Sequence, residues 1–346
     1  MKRLLFLALS FSILLSGCMS TLNIRALKPS DVMLPENVQK IAVVNRFIPG
    51  SKSNQTLNII EGIATGEGIF TDREGAENAV NGLLQQLKQS PRYEVVQPAA
   101  ELKGNGLGVF PPLLPAEEVR AICDKVGAQA LATLEAFDSD NIYHDEIENR
   151  KSTTKEGVAI VTIIHHAKLD TRVTIGFRIY DAKTNSLYDE FKGEQRMGWD
   201  KEGPTVEAAR ALLPPNRQAI KDVGFIAGTQ YAIRIAPSWI NIARQYYPKG
   251  NDDMKNAAIR MRAGKWDAAA EIYKLLTVAN DKKIAGKAAY NMAVIAEAQG
   301  KLDIALDWAT KSASEFKNKK AARYIDILRY RKAEQERVDR QMKDKK

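Results

Sequence analysis

The sequence predicts an α+β protein: a mixed α/β sheet domain with a long antiparallel hairpin, followed by an all-α helical repeat domain. Three observations carry this reading. Short apolar runs alternate with amphipathic segments from residue 39 to about 138. Two-residue alternation then dominates residues 158–181, the period of a half-buried strand. Beyond residue 250 the apolar period becomes helical, and one pattern recurs 36 residues later.

The elements follow in order. LNIRAL (22–27) reads as an initial strand, and Pro29, Pro35 and Asn37 mark a turn. KIAVVNR (40–46) is a short apolar run bounded by polar residues, the pattern of a buried strand. A long glycine-dotted connection, 47–71, leads to Thr71 or Asp72, either of which can cap a helix running to about Gln89. Ala76, Ala79, Val80, Leu83, Leu84 and Leu87 form its apolar face. Ser90-Pro91 ends it, and YEVVQP (93–98) is the next strand. Prolines 111, 112 and 115 lead into a helix at 116–126, with Gly127 as its C-cap, and QALATLEAFD (129–138) returns as a strand. This β-α-β-α-β order favours a parallel sheet with right-handed crossovers.

In the alternating run, Val173, Ile175, Phe177 and Ile179 share one face, with Arg172, Thr174 and Arg178 on the other. AKTNS is a turn, and LYDEFKGEQRMGW (187–199) is the answering strand, giving long antiparallel strands with one wet face. Helices are expected at about 204–212 and 215–235, then a strand at 239–247. In the helical part, RAGKWDAAAEIY (262–273) aligns with AQGKLDIALDWA (298–309). This pattern is similar to the tetratricopeptide repeat, in which glycine closes a helix-turn-helix and a small alanine lets the helices approach. Asn256 and Arg260 fall where that repeat usually has apolar residues. Residues 319–341, with Ala322, Tyr324, Ile325 and Leu328, form a closing helix, and the polar end KAEQERVDRQMKDKK is expected to project or fray.

The first residues carry an address. Lys2 and Arg3 precede the apolar run Leu4–Leu15. As a helix those 12 residues span roughly 18 Å, short of the ~30 Å hydrocarbon core, so they read as an export signal rather than a permanent span. Leu15-Ser16-Gly17-Cys18 resembles the bacterial lipobox. That resemblance implies cleavage before Cys18 and a thioether-linked lipid on its sulfur, with two or more acyl chains holding the protein stably to a membrane. The bland alternative is an ordinary export signal whose cleavage site adjoins a cysteine. No Asp follows Cys18 to retain the protein at the inner membrane, so the expected location is the periplasmic face of the outer membrane. The division expected is a leader at 1–17, a lipidated tether and initial strand at 18–38, the mixed α/β domain at 39–249, two tetratricopeptide-like repeats at 250–316, and a closing helix with a basic tail at 317–346.

The strand KIAVVN, the long helix after it and the RYEVV strand resemble the N-terminal domain of envelope proteins such as TolB and the curli-secretion lipoprotein CsgG. LKPSDVMLPENVQKIAVVNR, IIEGIATGEGIFTDREGA and PSWINIARQYYPKG resemble bacterial outer-membrane lipoproteins that join such a domain to tetratricopeptide repeats. The resemblance implies fold and location and brings no defined activity.

Charge and composition narrow the function classes. The net charge of +9 is confined to the two ends: residues 1–17 contribute +2 and residues 317–346 contribute +7, leaving 37 basic against 37 acidic residues between them. With no basic, aromatic-interleaved face, nucleic acid is not an expected partner. The basic tail is either a solvated helix end or a contact for anionic lipid or acidic polysaccharide. Lipidation of Cys18 leaves Cys123 without a disulfide partner, and its place in EEVRAICDKVGA suggests a buried thiol.

No catalytic, cofactor or metal residue is expected. His165 and His166 are neighbours on a strand and face opposite ways, so one zinc ion cannot readily use both. His144 sits beside Asp145 and Glu146 in what reads as a polar loop, and Asp138 and Asp140 as an acidic pair at a strand end. The loop NIIEGIATGEGIFTDREG (58–75) follows the first core strand, where α/β folds often place ligands. Gly62, Gly66 and Gly68 permit tight turns, but no phosphate-binding fingerprint is present and the acidic Glu61, Glu67 and Asp72 disfavour an anion. The loop is either a structural connection or a partner-binding surface to which Glu61, Glu67 and Asp72 contribute.

The function expected is therefore that of a non-enzymatic, membrane-anchored envelope lipoprotein, held through lipid on Cys18 and binding an unknown envelope protein or peptide through its repeats. The repeat helices could instead pack on the first domain. The alternatives are a structural subunit of an oligomeric envelope machine, with the 158–199 hairpin as assembly element, and an enzyme acting on envelope glycan.

Overall fold

The computed structural model describes residues 19–47, 67–100 and 102–343. The expected leader, the expected lipidation site Cys18, and Glu61 lie outside the described residues. Two compact units are present, a sheet unit (Ser30–Ser238) and a helical unit that combines the first strand with Trp239–Lys343. The chain thus has the expected class, a mixed α/β region followed by an all-helical one.

The sheet unit contains strands β2 (Lys40–Asn45), β3 (Glu94–Val96), β4 (Ala130–Thr153), β5 (Ala159–Asp181) and β6 (Leu187–Gly203) in the order β3-β2-β4-β5-β6. β3, β2 and β4 run parallel, β5 runs antiparallel to β4, and β6 runs antiparallel to β5. Helices α1 (Glu67–Leu87), α2 (Ala116–Val126), α3 (Val206–Arg210) and α4 (Asn216–Ile235) belong to this unit. β2 is apolar from Ile41 to Val44 because both its faces are covered. Ile41 and Val43 join the core formed with α1 and α4, whereas Ala42 and Val44 join the core beneath α2 with Val119, Cys123 and Leu131.

Helix α1 begins at Glu67, a turn before the caps expected at Thr71 or Asp72. Its contact with α4 explains the glycines along both. A Cβ on Gly228 would lie 1.7 Å from the Ala79 carbonyl oxygen, and one on Gly82 would lie 2.1 Å from that of Phe225. The two backbones approach to a distance that only missing side chains permit. Helix α2 occupies its expected span and ends at Gly127, whose φ of 66° suits glycine.

The polar segment after residue 138 is strand, not loop. β4 continues to Thr153 and pairs with β5 from Ala130↔Asp181 to Thr153↔Ala159. Periodic burial could not reveal this, because the outer half of the strand is held by cross-strand charge pairs such as Asp140 with Arg172 and Glu146 with Lys168. His144 is accordingly a strand residue, with the Asp170 carboxylate 3.9 Å away. The β5–β6 hairpin forms as the alternation predicts, turning at Asn185 with φ 59°.

A buried ionic group ties this unit together. The Glu135 carboxylate is fully buried and accepts from Arg178 Nη1 at 2.8 Å, Tyr180 Oη at 2.7 Å and Thr133 Oγ1 at 2.8 Å, with Arg46 Nη1 at 3.2 Å. The same arginines donate to the Pro111 and Pro112 carbonyls, fastening the proline-rich entry to α2. Burial, and then the bond to Glu135, push the Tyr180 hydroxyl up to about 12.

In the helical unit, β1 (Ser20–Lys28) pairs with β7 (Ser238–Tyr246) as a separate two-stranded sheet. The units therefore divide the chain elsewhere than at residues 38 and 249. Tyr246 belongs to the helical core, Met19 and Leu22 pack against it, and the Tyr247 backbone exchanges bonds of 2.8 and 2.7 Å with the buried Asn291 amide. Helices α5 (Asp252–Arg262), α6 (Trp266–Leu276), α7 (Lys282–Ala298), α8 (Leu302–Ser314) and α9 (Lys319–Gln341) follow.

Their termini repeat one chemistry. Asn251, Asp281 and Asn318 cap α5, α7 and α9 with side-chain oxygens on backbone N–H groups. Gly264 and Gly300, with φ of 69° and 73°, turn the chain into α6 and α8. Helix α5 buries Met254, Ala257, Ala258 and Met261, so Asn256 and Arg260 face outward and the first hairpin is complete. Ala321 rather than Ala322 is buried on α9. The polar end does not project: α9 runs to Gln341 with Arg331, Glu334 and Val338 buried. Arg331 Nη1 meets Glu334 at 2.8 Å, so neither charge is buried without a partner. Glu297 on α7 is likewise buried and takes a two-bond fork from Arg244, both at 2.7 Å.

Candidate functional site

Two surfaces are candidates, one in each unit. The first is the wet face of the β4–β5–β6 sheet. Residues paired across antiparallel strands share a face, so the register gathers groups that are far apart in sequence. His166 stands opposite Glu146 on one side and Glu202 on the other, and Lys168 opposite His144 and Asp200. His166 Nδ1 lies 3.1 Å from Asp200 and Nε2 lies 3.1 Å from Glu148. Arg150 reaches Glu148 at 2.8 Å and Glu202 at 2.9 Å.

The electrostatics follow from these contacts. Asp200, then Glu148, raise the His166 imidazole above its ordinary range. Arg150, then His166, hold Glu148 down at about 2. Bonding to Glu146 raises Lys168. One ligand atom each from Glu148, His166 and Glu202 lie within 4.8 Å of one another, the spacing of a set that could hold a metal ion. A cation there would have to displace the Arg150 guanidinium, which already bridges both carboxylates. As built, the cluster is a lattice of alternating charge that binds three strands together.

Sequence spacing hid this set. His165 and His166 do point to opposite faces, but the partners of His166 come from the neighbouring strands at positions 148, 200 and 202. Only the register shows it. Glu67 opens α1, and Asp72, a turn later, accepts a hydrogen bond from Ser139 of β4, so it links helix to sheet. Cys123 is buried and unpaired, and burial with Asp124 and Asp181 pushes its thiol up to about 12, out of the range of a reactive thiolate.

The second surface is that of the helical unit. Ala269, Ala293, Ala305 and Ala309 are fully buried, and small residues at these positions let the helices pack closely around the buried Tyr273 ring. Outside, Ile259, Leu275, Val278, Ile327 and Tyr330 are exposed, Leu275 and Val278 by 74% and 78%. Trp239 and Ile304 are exposed as well; single exposed hydrophobics are ordinary, but several on one small helical unit supply apolar contact area.

Comparison with known proteins places the chain in a family and brings no described activity. Residues 38–247 match the family model described as Domain of unknown function (DUF8603), and the chain belongs to that family. Residues 255–333 match a second model, Domain of unknown function (DUF6340). No curated protein matches the chain. Among solved structures, the chain is similar to a PelC dodecamer from Paraburkholderia phytofirmans, at 10% identity over 63% of this chain and 99% of that one, with a TM-score of 0.24. It is also similar to a Helicobacter pylori protein described as a neuraminyllactose-binding hemagglutinin homologue, at 13% identity over 58% of this chain and 82% of that one, with a TM-score of 0.23. Among the described residues, no helix is long and apolar enough to cross a membrane.

Proposed function

We propose that this chain is a lipid-anchored lipoprotein of the bacterial outer membrane, on its periplasmic face, that works as a non-catalytic interaction component of the envelope. Its helical unit would bind a protein or peptide in the manner of tetratricopeptide repeats. The observation that carries the reading is the doubled hairpin: two helix pairs turned by left-handed glycines 36 residues apart, with exposed aliphatics outside a complete core. A core that is already filled leaves Leu275, Val278 and Tyr330 with no structural duty. The Leu15-Ser16-Gly17-Cys18 motif after a short apolar leader supports the anchor.

Two experiments test it. Mass spectrometry of the membrane-extracted protein should find the mature chain starting at a lipid-modified Cys18. An unmodified thiol, or a retained Met1, would overturn the anchor. In crosslinked envelopes, full-length protein carrying Leu275→Asp, Val278→Asp and Tyr330→Asp should lose partners that the wild type retains. An unchanged set of partners, with the thermal melt also unchanged, would remove the helical surface from the mechanism.

A further inference from the structure

The outer end of the β4–β5 hairpin has an open edge unlike the others in the sheet. β4 and β5 stay paired to Thr153↔Ala159, but β6 stops at Gly203, opposite His165. Ala159–Ile164 therefore has β4 along one edge and, among the described residues, no strand along the other. Every residue from Lys155 to Ile163 is exposed. Val158, Ile160, Val161 and Ile163 are exposed by 60%, 43%, 57% and 58%, and Ile147, on the same face as Val161 and Ile163, by 62%.

An exposed strand edge is a template for pairing, and proteins ordinarily protect it with charge. The other long edges here are protected. The outer half of β4 carries Asp145, Glu146, Glu148, Arg150 and Lys151. β6 carries acidic and basic residues along its whole length, from Asp189 to Glu202. Val158–Ile164, VAIVTII, has no charge, no proline and no glycine, and six of its seven residues are β-branched, which favours a paired strand over a solvated one.

We infer that this edge pairs with its own copy: β5 of one protomer lies antiparallel to β5 of a second, about a two-fold axis at Val161. The register would set Val161 against Val161, Ile160 against Thr162, and Ala159 against Ile163. The two hairpins then form one four-stranded ribbon. Charge selects this partner over the alternative within the same molecule. Laid against itself the neutral segment opposes no charges, whereas against the open edge of β4 it would lie along Asp145–Lys151. An isologous contact also closes at two copies rather than growing into a fibre. The inference is independent of what the helical unit binds.

The test uses full-length protein in detergent and in native membranes. Val161→Cys should give a covalent dimer under mild oxidation, because the axis places each new thiol against its twin. Asn149→Cys, exposed on the β4 side of the same hairpin, should not. Val161→Lys should shift the wild-type species from dimer to monomer in light scattering without changing the thermal melt. A wild type that is monomeric at every concentration, and a Val161→Cys protein that does not crosslink in either setting, would overturn the inference. So would a monomer whose dye-labelled Val161→Cys site moves into an apolar environment on adding phosphatidylglycerol vesicles, since the edge would then be a lipid contact.

Discussion

Gly228→Ala is the sharpest test of the sheet unit's packing. Alanine is the better helix former by about 1 kcal/mol, so on propensity alone the substitution should stabilise α4. The structure opposes this. The new Cβ would sit 1.7 Å from the Ala79 carbonyl oxygen, a backbone atom that no rotamer change can move. Relief requires the helices to separate, which unpacks Ala76, Ala79, Leu83, Val223 and Ala227 between them. Overpacking of this kind costs about 1–3 kcal/mol and sometimes more. Because the obstacle is main chain, the upper part of that range applies, and a net loss of about 2 kcal/mol remains after the propensity gain. For a domain of this size, each kcal/mol moves the melting temperature by roughly 2–4 °C, so a fall of about 4–8 °C is expected. Calorimetry on the purified protein measures it, with Gln230→Ala, exposed on the same helix, as the control. If Gly228→Ala melts at or above the wild type, the helices are not as close as stated and the account of their glycines fails.

Three further outcomes follow from the same contacts. Glu135→Ala leaves Arg46 and Arg178 buried without their shared carboxylate, and chemical denaturation should show a loss of about 3–5 kcal/mol, whereas an effect below about 1 kcal/mol would mean that water reaches the site. Gly300→Ala should cost about 1–2 kcal/mol because φ is 73°, although nothing lies within 4 Å of the added Cβ; Gly300→Asn, which tolerates that conformation better, should cost less, and equal losses would point to crowding instead. For His166, Asp200 and Glu148 stabilise the imidazolium, so the folded-state value lies above the unfolded one. Its contribution is complete below the ordinary imidazole range and disappears as pH rises through the raised value. Thermal melts of the wild type should therefore decline relative to His166→Gln across that interval, and parallel curves would show that the two carboxylates do not act on the ring.

Much of the chain was decided locally. The strand KIAVVN, the helix at 116–126 with its Gly127 cap, the alternating run that became β5, and the glycines 36 residues apart are legible because each depends on a near-neighbour period or on a conformation that only glycine adopts easily. The expected leader and the lipobox-like residues before Cys18 rest on linear patterns, which are read without a fold. The outer half of β4 was not legible: its residues are mostly polar with no buried face, and β5 holds them as a strand by supplying opposite charges in register. The His166 cluster was hidden for the same reason, since strand pairing joins positions 148, 166, 200 and 202. The unit boundary was hidden as well, because β1 and β7 find each other across some two hundred residues. Periodicity reports which face of an element is apolar. It does not report which element that face or edge will meet, and that choice belongs to the tertiary structure.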